Sequence, residues 1–245
     1  MKIFDNNICH ITFTHSDCSD IWPLYFTQMK KYFSVDIEHF VCTESYKNNL
    51  PSGKKSLIYN EALTYPERLL SCLEQIPEYE FIFFDHEDMF LYAEPNFSEL
   101  QLYYGLMKNH QLEYIRLIKG GDYKSNVSSS TDSLQNLELK SKWIFSIQPS
   151  FWKVSVLKEI LLANLNCNIW ELEVKSQKVV KKMKIKAAFS HKSGTRRGLH
   201  HFDNNVYPYI ATAIGKGKWN LSEYSKELGQ ILSEHNINPD SRGWF

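Results

Sequence analysis

The sequence has no excess of either charge. Its 245 residues include 28 Lys and Arg and 28 Asp and Glu, so the formal net charge is zero at pH 7. Such a chain has no general attraction to nucleic acid or to an anionic membrane. We therefore expect no nucleic-acid partner, and a charged ligand has to be recognised by local features.

Cysteine is scarce and irregularly spaced. The five cysteines are Cys9, Cys18, Cys42, Cys72 and Cys167, and none of them forms a CxxC pair. This spacing argues against a zinc cage and against a complete disulfide framework. Reduced thiols in a cytoplasmic protein are the expected state.

Long hydrophobic runs are also missing. No stretch approaches the roughly 18 apolar residues of a transmembrane helix, and the N-terminal residues lack a signal-peptide core. We therefore expect a soluble chain without a transmembrane segment. A hydrophobic fraction of 43% with 14% aromatic residues is nevertheless typical of a packed globular protein.

Apolar runs alternate with helical patterns along the chain. Strands are predicted at 8–14, 38–43, 56–59, 81–84, 114–118, 143–149 and 185–190. Helices are predicted at 21–33, 66–76, 97–110, 153–165, 170–183 and 222–235, and the polar segment 120–142 is predicted to be an irregular loop. This order predicts an α/β class: a single domain, 1–245, with a mostly parallel central sheet flanked by helices.

An acidic cluster follows the most apolar predicted strand. Phe81–Phe84 suits a strand buried on both faces, and Asp85, Glu87 and Asp88 come directly after it. Ligands of open α/β sheets bind beyond the carboxyl ends of the strands. Carboxylates there could share Mn²⁺ or Mg²⁺ and so neutralise a departing diphosphate. The alternative is an ordinary polar loop. Either way, we expect the acids to contribute little to the core.

The order of these features resembles the A-type nucleotide-sugar glycosyltransferases, the GT-A fold family. The resemblance covers roughly residues 8–190 and rests on an Arg-bearing helix (65–70), the strand with its acidic motif (81–88), and the segments 146–152 and 168–173. It implies metal-dependent transfer of a sugar from a nucleotide diphosphate donor to a carbohydrate, glycan or glycolipid acceptor. Residues 1–118 would form the nucleotide- and metal-binding half, and 143–245 the acceptor half with the C-terminal segment.

The acidic motif departs from the family's Asp-x-Asp pattern. Its third position is Glu87, with Asp88 beside it. The direct metal ligand is therefore open between Glu87 and Asp88. By the resemblance, Asp85 would face the ribose or a metal-bound water.

A second acidic centre lies at the start of the predicted helix 170–183. Inverting members of the family carry a catalytic carboxylate there, and Glu171 is the closer match, with Glu173 second. An inverting transfer needs such a carboxylate to accept the proton of the attacking hydroxyl. The alternative is that Glu171 only favours the positive end of its helix.

Further donor contacts are predicted in the first turn and the second helix. Thr14, His15 and Ser16 lie where the nucleoside is expected, although turn chemistry alone also favours such residues. Arg68 is a candidate phosphate ligand, or a surface arginine that pairs with Glu67 or Glu74.

The late segment 194–201 combines glycine, arginine and histidine. The resemblance nominates Arg196 or Arg197 for the diphosphate and His200 or His201 for the metal. The segment could be a lid over bound donor, and the alternative is exposed coil.

Two other classes of function share parts of this pattern. An acidic strand end with a metal also serves nucleotidyltransferases and phosphohydrolases. A catalytically silent nucleotide-sugar-binding module is the third possibility.

The six lysines between positions 175 and 186 are interpreted as a solvated helix face.

Overall fold

The chain folds around an eight-stranded sheet in a computed structural model that describes residues 1–45, 50–120, 132–191 and 193–245. The strands are β1 (Ile8–Phe13), β2 (His39–Thr43), β3 (Lys55–Ile58), β4 (Phe81–His86), β5 (Tyr114–Arg116), β6 (Leu134–Leu137), β7 (Ser150–Lys153) and β8 (Ala187–Ser190). Their order is β3-β2-β1-β4-β7-β5-β8-β6. Because only β6 and β7 run antiparallel to their neighbours, the sheet is mostly parallel, as predicted.

In the described part of the chain, six helices cover the two faces of the sheet. They are α1 (Trp22–Tyr32), α2 (Tyr65–Glu74), α3 (Phe97–Lys108), α4 (Val154–Leu162), α5 (Ile169–Met183) and α6 (Leu221–Glu234). One apolar core lies against α1, α3 and α6, and the other against α2, α4 and α5. Strand β4 serves both cores because successive side chains point to opposite faces: Phe81 and Phe83 enter the first core, and Ile82 and Phe84 the second.

Capping residues explain where two of these helices begin. Thr64 and Glu67 form a capping box at the start of α2, and Asn168 and Glu171 form another at the start of α5. In each box two backbone N–H groups that lack a helical partner are satisfied by side chains.

Two expectations from the sequence are wrong. Residues 143–149 are not a strand, because side chains of α5 bind their backbone: Gln177 accepts from the N–H of Ile144 at 2.7 Å, and Glu173 accepts from that of Ile147 at 2.9 Å. Strand β7 begins only at Ser150. The predicted loop 120–142 contains a strand, β6, while its residues 121–131 lie outside the described part of the chain.

The C-terminal segment also has more regular structure than expected. β9 (Ser193–Arg197) and β10 (His201–Asn204) form an antiparallel hairpin, and β11 (Ile214–Gly215) pairs with β12 (Lys218–Trp219). Within the described residues, no helix is long and apolar enough to cross a lipid bilayer.

Candidate active site

A cleft of about 540 Å³ opens at the carboxyl ends of β1 and β4. It brings together five residues that the sequence singles out, namely Thr14, His15, Arg68, Glu87 and Glu171. The remaining wall residues are Phe13, Leu63, Thr64, Tyr65, His86, Asn166, Cys167, Asn168 and Ile169. A volume of this size is typical of small-molecule sites. We call it the first cleft.

The turn after β1 is held by side chains from neighbouring elements. The Trp22 indole donates to Thr14 Oγ1 at 2.8 Å, and the Tyr59 hydroxyl donates to the Thr14 carbonyl at 2.7 Å. The backbone N–H of Ser16 donates to the Glu44 carboxylate at 3.2 Å. Ser16 itself is not among the residues that line the cleft. The predicted role of Ser16 in donor binding stays a prediction.

Arg68 extends from the first turns of α2 to the cleft. Its Nε donates to the Leu63 carbonyl at 2.7 Å, and its guanidinium also binds the Glu61 carbonyl and lies 5.4 Å from the centre of the Tyr59 ring. Backbone and ring contacts therefore hold the guanidinium, and no salt bridge within the described residues neutralises it. Its positive charge faces the cleft.

Glu87 and Asp88 are two adjacent carboxylates at the end of β4. Burial raises the pKa of Glu87 to about 7. Burial and the neighbouring charge of Glu87 raise the pKa of Asp88 as well. Among the described residues neither carboxylate has a cationic partner, and no group of three or more His, Cys, Asp or Glu side chains is arranged to hold a metal.

Asp85 does not reach the cleft. It is completely buried on the α1 side of the sheet, where it accepts hydrogen bonds from Thr12 at 2.9 Å and Tyr25 at 2.8 Å and lies 3.1 Å from His10 Nε2. The expectation that this acid contributes little to the core is therefore wrong. Side-chain alternation along β4 explains the placement, because Asp85 shares a face with Phe83.

A second cleft, of about 440 Å³, opens at the same edge of the sheet. It is lined by Arg116, Ile118, Gly120, Lys142, Trp143, Ser146, Gln148, Glu173, Leu199, His200 and His201. Because β7 is antiparallel to its neighbours, the residues just before it lie at the edge where β4 and β5 end.

Glu173 projects from the first turns of α5 into the second cleft. It accepts a hydrogen bond from the backbone N–H of Ile147 at 2.9 Å. Burial raises its pKa, while the hydrogen bond and the positive charge of Arg116 act in the opposite direction. A carboxylate with a raised pKa is a stronger proton acceptor than an ordinary one.

Glu171 is the more exposed of the two acids. Its carboxylate accepts from the backbone N–H of Asn168 at 2.9 Å, which completes the capping box of α5. Glu171 thus lies at the positive end of its helix, which is the alternative that the sequence left open. The catalytic role of Glu171 stays a prediction.

The two histidines lie apart from the acidic motif. His200 and His201 line the second cleft, and the His201 ring hydrogen-bonds the Tyr224 hydroxyl on α6. The structure thus separates both histidines from Glu87 and Asp88, with which the sequence grouped them in one metal site. Both lie in the hairpin β9–β10 and its turn rather than in coil.

The two hairpin arginines line neither cleft. Arg197 Nε donates to Asp203 at 2.9 Å, and its other nitrogens bind Glu227 and the Glu223 carbonyl, so Arg197 joins the hairpin to α6. Arg196 is exposed on the hairpin. A contact of either arginine with a diphosphate stays a prediction.

Some residues of the site were not singled out from the sequence. The Tyr65 hydroxyl hydrogen-bonds His86 Nε2 at 2.9 Å, and burial lowers the pKa of His86 to about 4, so this imidazole is neutral at pH 7. Arg116 and Gln148 line the second cleft. The sequence does offer a signal for Arg116, because a charged residue inside an otherwise apolar predicted strand is unusual.

No protein-family model matches the chain, and no curated protein matches its sequence. Among solved structures, CMP:2-keto-3-deoxy-manno-octonic acid synthetase complexed with CTP is similar with a TM-score of 0.50 and 11% identity, over 75% of this chain and 88% of that chain. The bifunctional IspDF from Campylobacter jejuni is similar with a TM-score of 0.43 and 15% identity, over 75% of this chain. TarS 1–349 from S. aureus is similar with a TM-score of 0.47 and 15% identity, over 96% of this chain.

These matches concern the fold. The chain spans 49% of the IspDF chain and 66% of the TarS fragment. The similarity to the synthetase shows a shared α/β fold with a mostly parallel sheet, which is the class that the sequence predicted. In this fold the two clefts lie where the carboxyl ends of the strands meet.

Proposed function

We propose that this chain is a divalent-cation-dependent glycosyltransferase that moves a sugar from a nucleotide diphosphate donor to an acceptor hydroxyl with inversion at the anomeric carbon. The observation that carries the proposal is the pair of clefts at one edge of the sheet. The first turns of α5 contribute an acid to each of them, Glu171 to the first and Glu173 to the second.

The first cleft suits the donor. The turn that contains Thr14 and His15 offers a hydroxyl and backbone groups to the nucleoside, and Arg68 offers a fixed positive charge to the diphosphate. Thr14 is held by the Trp22 indole, so the turn is preorganised for binding.

Glu87 and Asp88 fit a Mg²⁺ or Mn²⁺ ion. Glu87 lines the first cleft, and Asp88 follows it in the chain. Both carboxylates have raised pKa values and no cationic partner in the described structure, and carboxylate oxygens are the ligands that such an ion prefers. Mg²⁺ is commonly held by one or two carboxylates, with phosphate oxygens and waters as its other ligands. When bound, the ion would neutralise the charge that develops on the departing diphosphate.

The second cleft suits the acceptor. Glu173 takes the proton of the acceptor hydroxyl as that oxygen bonds to the anomeric carbon, and the bond from that carbon to the diphosphate oxygen breaks. The raised pKa of Glu173 makes its carboxylate a stronger base than an ordinary glutamate. Gln148 and His200, which line the same cleft, can orient the acceptor's other hydroxyls.

Nucleotidyl transfer is the second candidate. It is favoured by the fold shared with the synthetase that was solved with CTP. The released product separates the two reactions. Glycosyl transfer from a nucleotide diphosphate sugar releases a nucleoside diphosphate, whereas nucleotidyl transfer from a triphosphate releases pyrophosphate.

A panel of nucleotide sugars and nucleoside triphosphates, each with and without Mn²⁺, tests the proposal by thermal unfolding. A donor at 100 times its dissociation constant should add about 2.7 kcal/mol to the free energy of unfolding. We expect this stabilisation for one class of nucleotide sugar and only with the metal. The responsive donor is then incubated with candidate acceptors, and release of nucleoside diphosphate is measured. Pyrophosphate release from a triphosphate, with no turnover of any nucleotide sugar, would contradict glycosyl transfer.

A further inference from the structure

The outer side of α5 exposes large apolar side chains close to both clefts. Trp170 is 75% exposed and Val174 is 62% exposed. At the end of α4, just before this helix, Leu162 is 55% exposed and Leu165 is 38% exposed. Single exposed apolar residues are common, but several at the end of one helix and the start of the next indicate an interaction surface.

Lysines continue this surface along the helix. Trp170, Val174, Lys178 and Lys182 follow one another at intervals of four residues, which places them on one side of α5. Lys175 is exposed beside them. We call this set the outer face of α5.

The charge of the outer face is not neutralised locally. Across the described ranges of the chain, no acidic side chain pairs with Lys175, Lys178 or Lys182. Glu171 is the acid nearest to the tryptophan, and its carboxylate caps the start of the helix. An exposed tryptophan next to unpaired lysines is the pattern of a helix that lies at a membrane interface.

We propose that the outer face of α5 docks on an anionic lipid surface. Trp170 and Val174 enter the headgroup region, where an indole can bury its ring and keep its N–H hydrated. The lysines bind lipid phosphates and cover apolar surface with their side-chain stems. Because the whole chain carries no net charge, it has no general attraction to an anionic surface, and the attraction of this face weakens within a Debye length.

Docking in this way has a consequence for the clefts. Glu171 in the first cleft and Glu173 in the second belong to the same helix as the outer face. An acceptor sugar carried on a lipid would therefore be presented near the clefts. This last step rests on the proposed function, whereas lipid binding itself does not.

Co-sedimentation with vesicles tests the proposal without any donor or acceptor. The wild-type chain should sediment with phosphatidylcholine vesicles that contain phosphatidylglycerol and remain in the supernatant with pure phosphatidylcholine. The double variant Lys178→Gln/Lys182→Gln should bind about 25-fold more weakly, since each lysine near an anionic surface contributes about five-fold. Trp170→Gln should weaken binding about ten-fold.

The matched control is Lys30→Gln/Lys226→Gln, which removes two exposed lysines from other helices. It should bind the anionic vesicles as the wild type does. All the replaced side chains are exposed, and circular dichroism checks that each variant is folded. The proposal is overturned if the wild type does not bind anionic vesicles, if it binds neutral ones equally well, or if either outer-face variant binds no more weakly than the control. If the outer face binds an acidic protein and not lipid, the wild type does not bind anionic vesicles.

Discussion

At the scale of single residues, the most unusual groups are Glu87 and Asp88. The two carboxylates follow each other in the chain, and burial is the main cause of their raised pKa values. A pKa raised by burial means that the folded state disfavours the ionised form. Ionising either group therefore destabilises the fold.

Replacing Glu87 with Gln should make the chain more stable at pH 8 in metal-free buffer. Burial raises the pKa of Glu87 to about 7. The folded chain is therefore at full stability below the pKa that Glu87 has in the unfolded chain. It loses part of that stability as the pH rises through 7, where Glu87 ionises in the folded chain. Glutamine does not ionise. We expect Glu87→Gln to gain on the order of 2 kcal/mol over wild type at pH 8 and almost nothing at pH 4.5.

Urea unfolding at the two pH values measures this difference. Glu78→Gln, which replaces an exposed glutamate, is the matched control and should change the free energy of unfolding little at either pH. A Glu87→Gln effect that is equal at both pH values would show that Glu87 is not a destabilising buried charge.

The two acids of α5 should differ in their contribution to turnover. Glu173→Gln keeps the size of the side chain but cannot accept a proton, so kcat should fall by a factor of about 10² to 10⁴ with donor affinity nearly unchanged. Glu171→Gln should lower kcat much less, because the Glu171 carboxylate is bound in the capping box.

Steady-state kinetics with the responsive donor measures both variants. If Glu171→Gln is the crippled variant, Glu171 is the base and the sequence-based order of the two candidates is right. If neither variant loses activity, the configuration of the product, read by NMR, tests whether the enzyme retains rather than inverts.

At the scale of elements, side chains of the hairpin β9–β10 attach it to α6. Arg197 binds Asp203 and Glu227, and both of these acids are largely buried. His201 adds a contact with Tyr224. If the hairpin opens and closes over the second cleft, these contacts have to break.

Arg197→Gln should loosen the hairpin. The change leaves Asp203 and Glu227 without their cationic partner, which costs about 1–3 kcal/mol locally. Hydrogen exchange should accelerate at the Phe202 amide, which donates to the Lys119 carbonyl. Arg196→Gln is the matched control, because it removes the same charge from an exposed position on the same strand. Equal exchange in both variants would show that Arg197 does not hold the hairpin.

At the scale of the whole molecule, Asp85 links several strands and a helix at the centre of the fold. Through Thr12, Tyr25 and His10 it connects β4 to β1 and α1, and Thr12 also hydrogen-bonds His39 on β2. A buried carboxylate with these partners couples three neighbouring strands to one helix. Its removal therefore affects the global stability of the chain and not only its edge.

Asp85→Ala should destabilise the chain by about 3–5 kcal/mol, because it leaves buried polar partners without their acceptor. Urea unfolding measures the loss. Asp17→Ala is the control, since the Asp17 side chain is 89% exposed. A change of less than about 1 kcal/mol for Asp85→Ala would be inconsistent with a structural role in the core.

The sequence by itself determined the class of fold and the order of most elements. The apolar run 81–84 predicts β4 because side chains buried on both faces need no polar alternation. The helical pattern of residues 170–183 predicts α5, which the structure places at Ile169–Met183. These are local requirements, and local sequence is enough to reveal them.

Only the tertiary structure decided which of the candidate residues meet. Asp85 and Glu87 are two residues apart, yet the first enters the core and the second lines a cleft. Glu171 and Glu173 enter different clefts, and the late histidines join Glu173 and not the acidic motif. These outcomes depend on the antiparallel insertion of β7 and on the packing of the hairpin against α6. Contacts between residues distant in the chain leave no periodic signal in a single sequence.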